Sequence, residues 1–305
     1  MGGSWSGDTN NCWDYCFGRE EKLSTDLVGI VQSQHFDGID IDYEYCYDVA
    51  GLQGGQCSQR TSLYSDTKAQ AFLSTLTSKL RIKLDGLGSG YELTHAPMDI
   101  DISRTDSKYY QILKTHNADL NFLLPQFYNG VTRPIADGVD GTGQGSMSAT
   151  SIFSLLSNDM FPQKPNNVVF GFCISDCGGT GSNSNAAEAA QVMSELKTVN
   201  SGEFYCNGGA FFWVAQHDVN GAWSSTVSTE VSLTTGCSSS VVTTTGASTS
   251  SSSSSTTSAS TTSSITTIST TTTTTSGTCG LADNYCTDNR QCCSNRCNRK
   301  TTRCK

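Results

Sequence analysis

The stretch Phe36-Asp-Gly-Ile-Asp-Ile-Asp-Tyr-Glu-Tyr45 constrains this chain more than any other. Taken as a strand it alternates with period two, so Ile39, Ile41 and Tyr43 fall on one face and Asp40, Asp42 and Glu44 on the other. Carboxyl groups in a row on one face repel when all are ionised, so at least one must be neutralised. The opposite face is apolar and suits a strand covered by helices, which turns the acids toward a crowded, partly buried interior. Asp37 adds a fourth acid at the strand's entrance. Two plainer explanations fit less well. An exposed edge strand would leave the acids solvated, yet Ile39 and Ile41 would still need a core behind them. A calcium loop would place its sharp-turn glycine after the first acids, whereas Gly38 precedes Asp40, Asp42 and Glu44. The pattern points to a carboxylate cluster tuned for proton transfer.

At 305 residues the chain has room for two average domains, or for one large α/β barrel with appendages. Residues 238–278 are almost entirely Ser, Thr, Gly and Ala without a charge, a composition that cannot bury enough apolar surface to fold. Three segments follow: a main domain over 1–237, a linker over 238–278 and a small module over 279–305. The net charge of −9 divides into +4 for the last segment and −13 for the rest. An acidic main domain argues against nucleic acid as its partner. No apolar run is long enough to span a membrane.

Of the 14 cysteines, eight precede the linker and six crowd into 279–305. Even counts in both parts indicate a disulfide framework and hence a secreted protein. Zinc is the competing explanation, but no His lies beyond His217 and the main domain has no Cys-x-x-Cys pair, so no metal is expected.

Apolar spacing places helices from Ser24, with Ser24 or Thr25 as cap, over Asp66 to Leu84, near Lys108 to His116, and over 147–157 and 186–198. Strands are expected at Tyr91 to Pro97, Leu120 to Asn129, Val168 to Phe172 and Gly208 to Ala215. Cys46 and Cys57 bracket a loop and are spaced so as to close on each other. His95, alone on its strand, fits a hydrogen-bonded core residue better than a catalytic base or metal ligand. Trp5, Trp13 and Tyr15 suit either sugar stacking or packing beside a disulfide.

The spacing Asp37-x-x-Asp40-x-Asp42-x-Glu44 resembles the signature of family 18 glycoside hydrolases, the chitinases and endo-β-N-acetylglucosaminidases. Leu93-Thr-x-Ala-Pro97 resembles that family's fifth strand, and Gln126-Phe-Tyr-Asn129 the sixth strand of its plant class III-like branch, where the bacterial-type branch usually has Asp in place of Asn129. Trp213 matches its end-of-barrel tryptophan. The resemblance covers residues 1 to about 237 and implies a (β/α)8 TIM barrel. Gly2-Gly3 resembles the end of the third barrel strand, so the expected fold lacks its first two βα units. A natural product is then expected to carry a signal peptide and those units before Gly2. The tail spacing Cys279-x6-Cys286-x5-Cys292-Cys293-x3-Cys297-x6-Cys304 resembles a cystine-knot miniprotein, dependent on its bridges for stability.

By the same resemblance Glu44 is the acid, Asp42 binds the substrate's acetamido N–H, Asp40 shares a proton with Asp42, and Tyr128 donates to the acetamido carbonyl. Gln126, Asn129, Met98 and Trp213 line the adjoining sugar site. The implied activity is an extracellular, monomeric endo-chitinase on chitin or another N-acetylglucosamine polymer, without metal or cofactor. An endo-β-N-acetylglucosaminidase on N-glycans would keep the same acids. A chitin-binding lectin uses this barrel when the acid is lost, and Glu44 and Asp42 are both present.

Overall fold

The structure, a computed structural model, describes residues 2–4, 13–48, 60–143, 146–162, 164–199, 206–231, 297–298 and 303–304. They belong to two compact units, Met1–Thr243 and Thr244–Lys305. In the first unit strands alternate with helices: β1 Gly2–Ser4, α1 Glu20–Gln34, β2 Gly38–Glu44, α2 Asp66–Asp85, β3 Glu92–His95, α3 Asp99–Ile102, α4 Lys108–Thr115 and β4 Phe122–Leu123. The series continues with α5 Pro134–Asp137, α6 Ala149–Leu155, β5 Phe170–Cys173, α7 Ala186–Val199, β6 Ala210–Trp213 and α8 Ala222–Val231.

Strands β1 to β4 form one parallel sheet in chain order, and β5 pairs with β6 in parallel. A Leu123–Val168 bridge and the Val169 N–H donated to the Leu123 carbonyl (2.9 Å) set the entry to β5 beside β4. Among the described residues no ladder joins β6 back to β1. Parallel neighbours require crossovers, and helices supply them, covering the sheet's outer face.

The acid strand buries its apolar face as the alternation predicts, with Ile39, Ile41 and Tyr43 inside and the residues between them half-exposed. Tyr43 packs against Trp13 (ring centroids 5.0 Å apart), and Trp13 against Phe72 (5.7 Å). Trp13 is therefore core, whereas Tyr15 is exposed and Trp5 lies outside the described residues. Phe72 comes from α2, which runs as expected because Ser65 accepts the Lys68 N–H as its cap and Ala69, Phe72, Leu73, Leu76 and Leu80 form a buried stripe.

Two expected boundaries are corrected. Helix α1 begins at Glu20, four residues before Ser24, whose hydroxyl is buried inside the helix and donates to the Glu21 carbonyl (3.0 Å). No side chain caps this end; instead Glu20 accepts the Gly18 N–H (2.8 Å), and Glu20 and Glu21 favour the positive end of the helix dipole. Glu21 also pairs with Lys79 and Lys83 of α2, both at 2.7 Å. The strand expected over Leu120 to Asn129 is regular only at β4, because Pro125 has no N–H to give the ladder. Pairing resumes at Gln126, bridged to Met98, and ends where Asn129 takes a left-handed φ of 52°.

Helix α8 is not apparent from apolar spacing. Asp218 starts it by accepting the Trp223 N–H (2.7 Å), and Trp223 and Val227 bury against the β5–β6 pair, with Trp223 4.7 Å from the Phe212 ring. Cys173 and Cys177 form a disulfide, Cys46 and Cys206 each take part in a disulfide of their own, and Cys16 carries a free thiol, so pairing is not complete among the described cysteines. Cys57, the partner expected for Cys46, lies outside the described residues.

In the second unit β7 Cys297–Asn298 and β8 Arg303–Cys304 pair antiparallel, with Cys297 opposite Cys304. The Ser/Thr tract and the rest of the expected cystine knot lie outside the described residues. Among the described residues no helix is long and apolar enough to cross a membrane.

Candidate active site

Asp40, Asp42 and Glu44 project from β2 between β1 and β3, with Gly2 opposite Asp42 and Thr94 opposite Asp40. The β1 contact demands glycine: at Gly2, where φ is +118°, a Cβ would stand 2.0 Å from the Asp42 carbonyl oxygen. Any side chain there would push β1 off the acid strand.

Asp40 accepts the Thr94 hydroxyl (2.7 Å); burial raises its pKa and that bond pulls it partly back. Gln126 reaches across from the β4 side. Its Nε2 lies 2.9 Å from Asp42 Oδ1, 2.9 Å from Glu44 Oε1 and 3.0 Å from the Ala96 carbonyl. An amide nitrogen has two hydrogens for these three acceptors, so the two carboxyl groups compete for one donor and must settle their charge between themselves. Burial first, then the neighbouring charge of Glu44 and a hydrogen bond with it, push Asp42 up to about 8. At neutral pH Asp42 therefore holds a proton, with Glu44 within hydrogen-bonding reach of it.

Tyr128 is buried, with its ring 6.4 Å from Phe211 in an edge contact. Burial and the charges of Asp42, Glu44 and Asp40 hold its phenol well above its ordinary range, so it remains a donor. The remaining expected site residues are gathered less tightly. Met98 is half-buried and held by its main-chain bridge to Gln126. Asn129 is exposed, and its Oδ1 accepts the Thr180 hydroxyl (2.8 Å), which ties it to the loop after β5. Trp213 ends β6 opposite Cys173, with 49% of its surface exposed. Glu44, Gln126 and Trp213 all stand at or beyond the carboxyl ends of parallel strands, where α/β folds place their sites.

His95 is a core residue, fully buried between the Thr77 hydroxyl (3.1 Å) and the Tyr109 hydroxyl (2.9 Å). Burial pushes it down to about 3, so it is neutral at physiological pH. Among the described residues no group of three or more His, Cys, Asp or Glu side chains is placed to hold a metal.

Sequence reasoning missed three polar residues around this site. Thr94 was part of a strand motif with no role of its own. Asp99 and Asp101 are buried, Asp99 accepting the Thr132 and Ile100 N–H groups and Asp101 the Tyr47 hydroxyl (2.5 Å). Asp99-Ile-Asp-Ile repeats the alternation of β2 in miniature but folds as a helical turn, so its period gave no usable signal.

The buried carboxyls predict an unusual pH dependence of stability. Burial is the leading cause in each case, raising Asp99 to about 6, Asp101 to about 7 and Asp42 to about 8. A folded-state pKa above the unfolded one means the native state binds more protons, so this stabilisation is complete below about pH 4 and lost as pH rises toward about 8. His95 acts oppositely, its contribution being lost as pH falls from about 6.5 toward about 3. Three groups outweigh one between these limits. Thermal unfolding followed by circular dichroism is expected to give a higher midpoint at about pH 5 than at about pH 8. An equal or higher midpoint at the alkaline end would show that these carboxyls are ionised in the fold.

No family model and no curated protein matches the chain. Solved structures do. A GH18 chitinase from Pseudoalteromonas aurantia aligns over 75% of this chain and 73% of its own, with 22% identity and a TM-score of 0.51. The catalytic domain of a family GH18 chitinase from the fern Peteris ryukyuensis aligns over 69% and 63%, with 17% identity and a TM-score of 0.44. A fungal endo-beta-N-acetylglucosaminidase from glycosyl hydrolase family 18 aligns over 74% and 62%, with 15% identity and a TM-score of 0.40. This chain thus spans less than two thirds of the last two. The likeness to the Pseudoalteromonas structure shows the fold of the first unit to be a TIM-barrel-like α/β arrangement.

Proposed function

We propose that the chain is a glycoside hydrolase of family 18 that cleaves β-1,4 linkages between N-acetylglucosamine units, an endo-chitinase working by substrate-assisted retention. The observation that carries this is the convergence of Asp42 and Glu44 on the Gln126 amide, with a phenol that stays protonated in the same electrostatic environment. Hydrolysis of a glycosidic bond near neutral pH needs an acid at the leaving oxygen, and in this family the substrate's own 2-acetamido oxygen takes the nucleophile's place.

In this reading the proton that Asp42 holds at rest passes to Glu44, which gives it to the leaving oxygen as the acetamido oxygen attacks the anomeric carbon from the opposite face. Asp42, left as a carboxylate by that transfer, turns to the acetamido N–H and stabilises the oxazolinium charge, while Asp40 takes up part of the shared charge behind it. Tyr128 donates to the acetamido carbonyl oxygen and holds it in line. Gln126 orients both acids, and Met98, Asn129 and Trp213 form the walls and floor of the sugar site. A water then loses its proton to the Glu44 carboxylate and attacks the same face the leaving group left, giving net retention.

The reading extends to the chain's organisation: a catalytic domain over 1–237, a Ser/Thr-rich stalk over 238–278 and a disulfide-rich module over 279–305. The Cys173–Cys177 disulfide favours an extracellular setting. The test is chitohexaose hydrolysis followed by proton NMR, set beside release from a high-mannose glycoprotein. The expected result is internal cleavage of chitohexaose with β-anomeric reducing ends appearing first. Initial α-anomers would refute the retaining mechanism, and cleavage of the glycoprotein alone would replace chitin with N-glycan as substrate.

A further inference from the structure

Asp99 takes no part in the chemistry just described, yet it is almost completely buried, at 1% exposure, immediately after Met98. Its carboxylate accepts main-chain N–H groups from two places. One is Ile100 (2.7 Å), beside it on α3; the other is Thr132, in the loop that follows Tyr128. That loop lies directly against the carboxylate, since a Cβ on Gly130 would stand 1.9 Å from Asp99 Oδ1. Between Tyr128 and the clamped residues the chain has little slack. Asn129 is left-handed at φ 52°, and the Gly130 N–H turns back to the Tyr128 carbonyl at 2.5 Å.

Resting on the function proposed above, we infer that Asp99 is a positioning residue: its buried carboxylate clamps residues 130–132 and thereby fixes the Tyr128 phenol where it must meet the acetamido carbonyl. A local role in starting α3 does not account for the arrangement. That helix has four residues, and a single Ile100 N–H contact would serve it without the Thr132 N–H from the Tyr128 loop. Burying a carboxyl is costly unless its hydrogen bonds are met, and here the loop meets them. The same chemistry makes the loop's path depend on the acid. Asp99→Asn presents an NH2 group to N–H donors and must release at least one of them.

A clamp that works through Tyr128 has a signature that general destabilisation lacks. A misplacement of about 1 Å is enough to cost up to about 10²-fold in turnover, while ground-state binding through the rest of the sugar site is little affected. In the full 305-residue chain, Asp99→Asn is expected to lower kcat for chitohexaose by about 10- to 100-fold with KM within about twofold. In a Tyr128→Phe background the same substitution is expected to cost less than about twofold, because the group it positions is gone. Gly130→Ala provides the cycle again without touching the acid, by forcing the carboxylate and loop apart, and serves if Asp99→Asn does not fold.

Equal fold-losses with and without the Tyr128 hydroxyl would overturn the inference, as would a kcat for Asp99→Asn close to that of the unaltered chain. An unaltered chain that folds but does not hydrolyse chitohexaose would defeat the functional reading itself, and the inference with it. Hydrolysis by the unaltered chain with additive variants would defeat the inference alone.

Discussion

Glu44→Gln is expected to abolish nearly all hydrolysis of chitin oligomers while leaving their binding in place. Glutamine keeps the length of the side chain and an oxygen that can still accept from Gln126 Nε2, now at 2.9 Å from Glu44 Oε1, so the site keeps its shape. What it lacks is a transferable proton. General acid catalysis contributes roughly 10²–10⁴-fold, and kcat should fall by at least that factor. A second effect separates this from a loss of structure. The charge of Glu44 is the largest cause after burial of the raised Asp42 pKa, so its removal lowers that pKa and reduces the stability lost between about pH 5 and pH 8. The variant should therefore unfold at a higher temperature than the unaltered chain at about pH 8, and calorimetric titration with chitotetraose should give an unchanged affinity within a few fold. Retention of more than about a tenth of the activity would remove Glu44 from the acid's role.

Asp42→Asn is expected to be nearly as damaging for a different reason. Asp42 carries its proton at neutral pH because it is buried beside another acid, and the carboxyl pair can move that proton between them. Asparagine is permanently neutral. It can hydrogen-bond but can neither share a proton with Glu44 nor develop the negative charge that would face the oxazolinium cation. Removing one preorganised group aimed at transition-state charge costs about 10²–10³-fold in kcat, and that is the expected loss. The two substitutions disable one unit, so the double variant should be far more active than the product of the single losses predicts. Independent losses that multiply would show that the carboxyls do not act as a pair, whatever their distance from Gln126.

What could be read from the sequence divides along a physical line. The apolar stripe of α2 was legible because every residue of it lies on one helix and Ser65 caps that helix locally. The faces of β2 were legible for the same reason, since a pleat sends alternate side chains to opposite sides whatever else the chain does. Local spacing failed where the deciding partner was remote or where no side chain marked the boundary. Helix α1 starts early with no side-chain cap, and α8 starts from an aspartate four residues before its first residue. Asp99-Ile-Asp-Ile has a strand's alternation and a helix's geometry, and its first carboxylate accepts the N–H groups of Ile100 and of Thr132, the latter 33 residues away.

The residues of the candidate site follow the same division. That Asp40, Asp42 and Glu44 share a face is a property of seven consecutive residues, and no tertiary contact is needed to establish it. That Asp42 is neutral is not such a property. It depends on burial against neighbouring strands, on Gly2 letting β1 approach, and on an amide 84 residues further along that can satisfy only part of what two carboxyls ask of it. A side chain's direction from a strand is decided by its own backbone, whereas its charge is decided by the solvent and partners it loses or gains when distant segments pack. The sequence by itself determined which acids face one way; only the parallel register of β1 to β4 decided which of them would keep a proton.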